Sequence, residues 1–212
     1  MHIEPGFILQ SKIIAADLVA VGILATQAKS LFKTPIKLVQ SVGAAVFFSV
    51  FMALFSQHVG PSELHLIGAI PVYLLFGFTP TLVAFALGLL LQGTFFAPTD
   101  LVHLSVNSLS LILPLIAMHK LMGNKINDGI KKISYTDLAK LDGIFYSGVT
   151  LMVGFWLLGE SVTNLSAWAG FVVAYAPVAL GEAVISLSVV AMIRRYKTTP
   201  LFSSAAHRLG LV

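Results

Sequence analysis

Cysteine is absent from the 212 residues, and with it go disulfides, thiolate metal sites and cysteine nucleophiles. Charge is scarce as well: only 10% of the residues are Asp, Glu, Lys or Arg, against roughly 25% in an ordinary soluble domain. No phosphate-binding Gly-x-x-x-x-Gly-Lys-Ser/Thr stretch occurs, so this chain does not hydrolyse ATP by a P-loop. His-Glu-x-x-His and Gly-x-Ser-x-Gly are missing too, which argues against metalloprotease and nucleophile-elbow hydrolase chemistry. A signal peptide is not expected, because Met1, His2 and Glu4 precede Lys12, the first basic residue, with no basic leading region. The net charge of +4 is no sign of nucleic-acid binding, since the basic residues sit in short connections between apolar runs rather than along one face.

What the chain has in abundance is apolar length. Hydrophobic residues make up 57% of it and the mean hydropathy is +0.92, which marks a polytopic integral membrane protein with lipid as its surroundings; an all-α fold in the cell (plasma or inner) membrane is expected. About seven segments reach or approach the roughly 20 helical residues that cross a hydrocarbon core. They run from Ser11 to Ala28, Pro35 to Ser56, Leu64 to Phe78, Pro80 to Phe96, Leu101 to Met122, Leu138 to Leu158 and Leu165 to Ile193. Thr79 and Pro80 leave room only for a tight hairpin between the third and fourth. A six-span alternative lays the first segment, which carries Lys12 and Asp17, in the interface. The whole of residues 1–212 reads as one membrane domain, with residues 1–10 as an amino-terminal loop.

Basic residues are retained on the cytoplasmic side. With the amino terminus outside and the carboxyl terminus inside, the inner connections hold Lys29, Lys33 and Lys37, then Lys120, Lys125, Lys131, Lys132 and Lys140, and finally Arg194, Arg195, Lys197 and Arg208. The opposite orientation would strand nearly all of them outside. This topology places His2, His58, His65 and His103 at outer ends of segments, and His119 and His207 inside. The polar connection from Asn127 to Asp142 is expected to form a short amphipathic stretch at the inner surface.

The outer histidines gain meaning from the first two residues. A second residue as large as His2 protects the initiator methionine, so Met1 is expected to keep its α-amine. That amine, the His2 backbone nitrogen and His2 Nδ1 can close fused five- and six-membered rings around one ion, a planar three-nitrogen set suited to Ni(II) and Cu(II), with Co(II) also accommodated. A fourth ligand must come from elsewhere, and His58, His65 and His103 all lie on the correct face. Glu182 falls near the middle of the last apolar segment, where an ionised carboxylate costs about 3 kcal/mol on insertion scales, so it needs a partner. Gln92, Asn107 and Glu182 together can brace the amino-terminal loop through hydrogen bonds, or simply tie helices to one another. Ala45, Ser49 and Ala53 recur every four residues, a face for close helix packing, whether internal or against a partner. No internal inverted repeat is evident.

These residues resemble a known family. Met1-His2-Ile3-Glu4-Pro5-Gly6-Phe7 is similar to the Met-His-Ile-Pro-Asp-Gly-Phe opening of the cobalt/nickel-specific substrate-binding membrane subunits of energy-coupling-factor transporters, of the CbiM/NikM type. Leu64-His65-Leu66-Ile67-Gly68 resembles that family's His-Leu-x-Gly motif. Leu91-Gln92, Asn107 and Pro114 fall where it has similar residues, and Gly181-Glu182 followed by Arg194-Arg195 resembles its final helix and basic tail. The resemblance covers essentially the whole chain. It departs at Glu4-Pro5 in place of Pro-Asp, at Ala97-Pro98-Thr99-Asp100 in place of a glycine-rich turn, and at Tyr175, where a histidine is expected.

The resemblance implies that Met1, His2 and His65 hold the metal, with His103 joining Gln92, Asn107 and Glu182 around them. It implies capture and uptake of nickel or cobalt as transported substrate, with no permanent cofactor and no enzymatic activity. It also implies partners: ATP-binding cassette ATPases, a coupling transmembrane subunit and a small accessory membrane subunit. The departures leave open a subunit of the same type with another divalent metal or a small organic molecule as substrate. An intramembrane enzyme using Glu182 and an outer histidine is the remaining reading, with no paired catalytic motif behind it.

Overall fold

A computed structural model of the chain describes residues 2–3, 6–126, 133–158 and 165–211, with His2 described through its backbone. Helix dominates because a bilayer offers backbone amides no water, so each spanning segment must satisfy its own hydrogen bonds. The long helices are α1 (Gln10–Lys33), α2 (Pro35–Leu54), α4 (Phe78–Phe95), α5 (Leu104–Ile126), α6 (Tyr135–Leu157) and α7 (Leu165–Arg195). Two shorter ones, α3 (Ala69–Phe76) and α8 (Pro200–Arg208), and a 3-10 turn over Pro98–His103 complete the helical part. Strands β1 (His2–Ile3), β2 (Ser56–Val59) and β3 (Ser62–His65) form a small antiparallel sheet in the order β1-β3-β2.

Among the described residues, six helices are long and apolar enough to cross a membrane: α1, α2, α4, α5 with the 3-10 turn before it, α6 and α7. They make the chain an all-α, multi-pass membrane protein. Large apolar side chains such as Leu18, Phe32, Val173 and Leu180 are exposed on its perimeter, where lipid takes the place of water. The centre lies between α4, α5 and α6. Phe48 of α2, Phe85 of α4 and Phe145 of α6 follow one another at centroid distances of 5.2 and 6.0 Å, and Tyr146 continues the run to Tyr175 of α7 at 5.5 Å. These separations fall in the range where aromatic pairs attract.

Helices α2 and α4 meet on small residues. A Cβ on Gly88 would lie 2.4 Å from the Phe48 ring and 3.1 Å from the Ala45 carbonyl oxygen, so only glycine permits this approach. The Ser49 hydroxyl donates to the Gly88 carbonyl at 2.8 Å. Ala45 and Ser49 are thereby spent on internal packing, and Ala53 alone of the three faces outward.

Three expectations need correction. The apolar stretch from Leu64 to Phe78 is not a spanning helix: it begins in β3 and continues as the eight-residue α3, which is too short to cross about 30 Å of hydrocarbon. His65 therefore closes a strand instead of opening a helix. The hairpin hinge between α3 and α4 is Gly77, at φ +83°, with Thr79 and Pro80 already inside α4. In the Asn127 to Asp142 connection, residues 135–142 form the first two turns of α6, entered through a capping box in which Ser134 and Asp137 exchange side-chain and backbone hydrogen bonds. Residues 127–132 lie outside the described residues.

Basic side chains tie the opposite end of the bundle together. Arg208 Nη2 donates to the carbonyls of Leu74 and Leu75 at 3.0 and 3.1 Å, closing the C-terminal end of α3. Arg194 Nη2 donates to the Ile133 carbonyl, and the Ile133 amide donates to that of Leu209. Lys12, at the other end, reaches the Trp156 carbonyl at the end of α6.

Candidate metal centre

The sheet holds the site. Strands β2 and β3 turn on Gly60-Pro61, a two-residue loop in which Gly60 takes φ +58°, the positive angle that tight hairpins require at their first central position. β3 lies in the middle, and Glu63 pairs with His2 on one side and with His58 on the other. Because side chains alternate along a strand, Ser62 and Leu64 face the core, as does Ile3 opposite Ser62, and all three are fully buried. Glu63 and His65 share the other face.

His65 is held in one orientation. Its Nδ1 lies 3.1 Å from the Met52 carbonyl oxygen at the end of α2, and since a carbonyl can only accept, Nδ1 carries the proton. In the neutral ring Nε2 is then the nitrogen that carries the lone pair, the arrangement that a metal-binding imidazole needs. Burial, the largest cause, pushes the imidazole below its usual value near 6.5, against the opposing pull of the Glu63 carboxylate. Nε2 lies 3.1 Å from Glu63 Oε2, and the other Glu63 oxygen is 3.8 Å from His58 Nε2.

Two clamps fix the neighbouring backbone. Ile3, next to His2, is gripped on both sides: its amide donates to Asn107 Oδ1 at 3.0 Å and its carbonyl accepts from His103 Nδ1 at 2.9 Å. The segment after His65 is gripped by Glu182. One Glu182 oxygen accepts from the Ile67 amide, and the other accepts from the Gly68 amide at 2.8 Å and from the Tyr146 hydroxyl. Gly68 stands at φ +63°, and a Cβ there would come within 2.9 Å of the Phe51 ring. A fully buried carboxylate thus meets three donors, which answers the cost of its position in the membrane.

Glu182→Ala is expected to leave those three donors orphaned and to lower stability by at least about 3 kcal/mol, at roughly 1–3 kcal/mol for each. Thermal unfolding in detergent measures it. A melting temperature equal to wild type would mean that water or a neighbour replaces the carboxylate.

The fold brings the backbone of His2, His65, Asn107, His103 and Glu182 around one end of the bundle. Met1 lies outside the described residues. Gln92 is buried on α4, and among the described residues its amide oxygen has no hydrogen-bond partner. His58 is on the sheet with its side chain largely exposed. Tyr175 packs between Phe171 and Tyr146. Among the described residues, no three His, Asp or Glu side chains form a metal-holding group. Sequence reasoning missed Glu63, Met52 and Tyr146. The period-two placement of Glu63 and His65 was a signal for the first, hidden by reading the segment as helix.

The sequence profile of a family described as cobalt uptake substrate-specific transmembrane region, CbiM, matches residues 2–200. No curated protein sequence matches the chain.

Proposed function

The chain belongs to the CbiM family of cobalt uptake substrate-specific transmembrane regions, and from that premise we propose that it captures the ion outside the membrane with nitrogen ligands from Met1, His2 and His65. As a family member it is a multi-pass membrane component of cobalt transport. The observation that carries the ligand set is the pairing of β1 with β3, which puts the backbone of His2 opposite Glu63, two residues from His65. The imidazole of His65 is held by the bond from Nδ1 to Met52, which in the neutral ring leaves the lone pair on Nε2.

With Met1 carrying a free α-amine, the amine, the His2 amide nitrogen and the His2 imidazole supply three nitrogens in a plane and His65 the fourth. Such a set takes Co(II) and Ni(II) alike, so nickel is a second substrate of the same site. His103 and Asn107 hold the strand that carries His2, and Glu182 holds the segment that follows His65. Gln92 lines the adjoining interior. Transport takes its energy from separate chains, since this one has no P-loop: ATP-binding cassette ATPases and a coupling transmembrane subunit of an energy-coupling-factor transporter, with a small accessory membrane subunit.

Metal analysis of protein purified with its native amino terminus, and with any affinity tag at the other end, tests this reading. About one Co(II) or Ni(II) per chain is expected after equilibration and desalting. Protein that retains neither ion overturns the proposed site.

A further inference from the structure

We propose that the cavity between the start of α2, the start of α4 and α8 binds a phosphate group, carried by the headgroup of an anionic lipid. It lies at the end of the bundle away from the sheet, since α2 runs from here to Leu54, two residues before β2. The cavity holds about 420 Å³. Lys37 and Arg208 line it, and among the described residues no Asp or Glu does.

Neither cation meets a carboxylate among the described residues. Lys37 Nζ donates to the Ser30 hydroxyl at 2.8 Å, and Arg208 spends Nη1 on the Ser204 hydroxyl and Nη2 on the Leu74 and Leu75 carbonyls. Arg208 Nε is buried and has no acceptor among them. Two helix starts add to the positive field. α2 is entered at Thr34 and α4 at Gly77, and no side chain caps either helix. At Gly77 there is no side-chain oxygen to take a first-turn amide. The amides of Ile36 in α2 and of Phe78 and Thr79 in α4 fall in the first turn, where the helix itself supplies no acceptor, and all three residues line the cavity. Helix starts carry partial positive charge and bind phosphate through such amides. One anion in the cavity meets both cations and both helix starts.

The surroundings point to the carrier. Ile36 lines the cavity and is 59% exposed, and Phe32, four residues before it, is 84% exposed. These are lipid-facing side chains at the ends of spanning helices, the level at which headgroup phosphates lie, and basic pockets between such helices take anionic headgroups. Arg208 links the cavity to the rest of the fold. It closes the far end of α3, whose near end follows Gly68, held by Glu182, so a bound headgroup steadies the segment between them.

Full-length protein in non-ionic detergent is titrated with phosphatidylglycerol, with phosphatidylcholine of the same acyl chains, and with inorganic phosphate, and bound ligand is counted by native mass spectrometry. One phosphatidylglycerol per chain is expected, held more tightly than phosphatidylcholine. Lys37→Gln is expected to weaken it about fivefold, the worth of one basic residue at an anionic headgroup. Lys29→Gln, which neutralises an exposed lysine outside the cavity, should leave it unchanged. Equal retention of the two lipids with no binding of inorganic phosphate overturns the site and leaves the cavity to an acidic segment of a partner chain. An equal loss in Lys29→Gln also overturns it, because the attraction would then be diffuse. Inorganic phosphate that binds as tightly as phosphatidylglycerol, and is weakened by Lys37→Gln, supports the phosphate site and assigns it to a soluble anion. The comparison of the two lipids and phosphate on the unaltered chain decides the matter even if Lys37→Gln does not fold.

Discussion

One residue added ahead of Met1 is expected to abolish tight Co(II) and Ni(II) binding in a protein that still folds. The added residue turns the Met1 nitrogen into a peptide amide, which can ligate only after losing its proton, and moves the α-amine out of the five-membered ring it closes with the His2 amide nitrogen, so the proposed ligand set no longer meets His65 in the same geometry. Disturbing a group outside the ligand set costs about 10–100-fold in affinity, and loss of a ligand from a fused chelate should exceed the upper figure. Folding should survive, because Ile3 remains held by Asn107 and His103 and β3 remains paired with β2. Calorimetric titration of the extended and native forms, alongside their melting temperatures, measures both halves. Equal affinities would remove the amino terminus from the site.

His65→Ala is expected to be about as damaging, with more than about 100-fold loss in affinity, while His58→Ala and His103→Ala stay within the 10–100-fold range of groups that act through others. The structure gives each histidine a distinct task. His65 is fixed through Nδ1 on the Met52 carbonyl, His103 spends its Nδ1 on the Ile3 carbonyl, and the largely exposed His58 lies 3.8 Å from the far oxygen of Glu63. Removing His65 also strips a hydrogen bond from the Met52 carbonyl, so a modest loss of stability accompanies the loss of binding. The metal spectrum should shift because a nitrogen ligand has gone. If His103→Ala proves the most damaging and His65→Ala nearly neutral, the site must be rebuilt around α5.

Much of the bundle was legible because a bilayer leaves the backbone few choices. Long apolar runs in α1, α2, α4, α5, α6 and α7 could only be helices, and their ends fall within a few residues of where composition changes. The Leu64 to Phe78 segment was misread for the same reason. An apolar run needs burial, and burial inside protein serves as well as burial in lipid. Ser62 to His65 pairs between two other strands, and Gly68 and Gly77, at positive φ, cut α3 to eight residues. Hydropathy does not distinguish these two ways of being buried.

The sequence by itself determined the membrane class, the absence of P-loop and thiol chemistry, polar residues within apolar segments that need partners, among them Asn107 and Glu182, and a group of outer histidines that includes His103. Each of these follows from composition or from the desolvation cost of a single side chain, which does not depend on the rest of the fold. Tertiary structure alone decided how they act. Asn107 and His103 grip Ile3 from about a hundred positions away, Glu182 holds two backbone amides beyond His65, and a strand register sets Glu63 against both His2 and His58. Hydrogen bonds act over about 3 Å, and nothing in the order of residues along the chain says which distant groups will come that close.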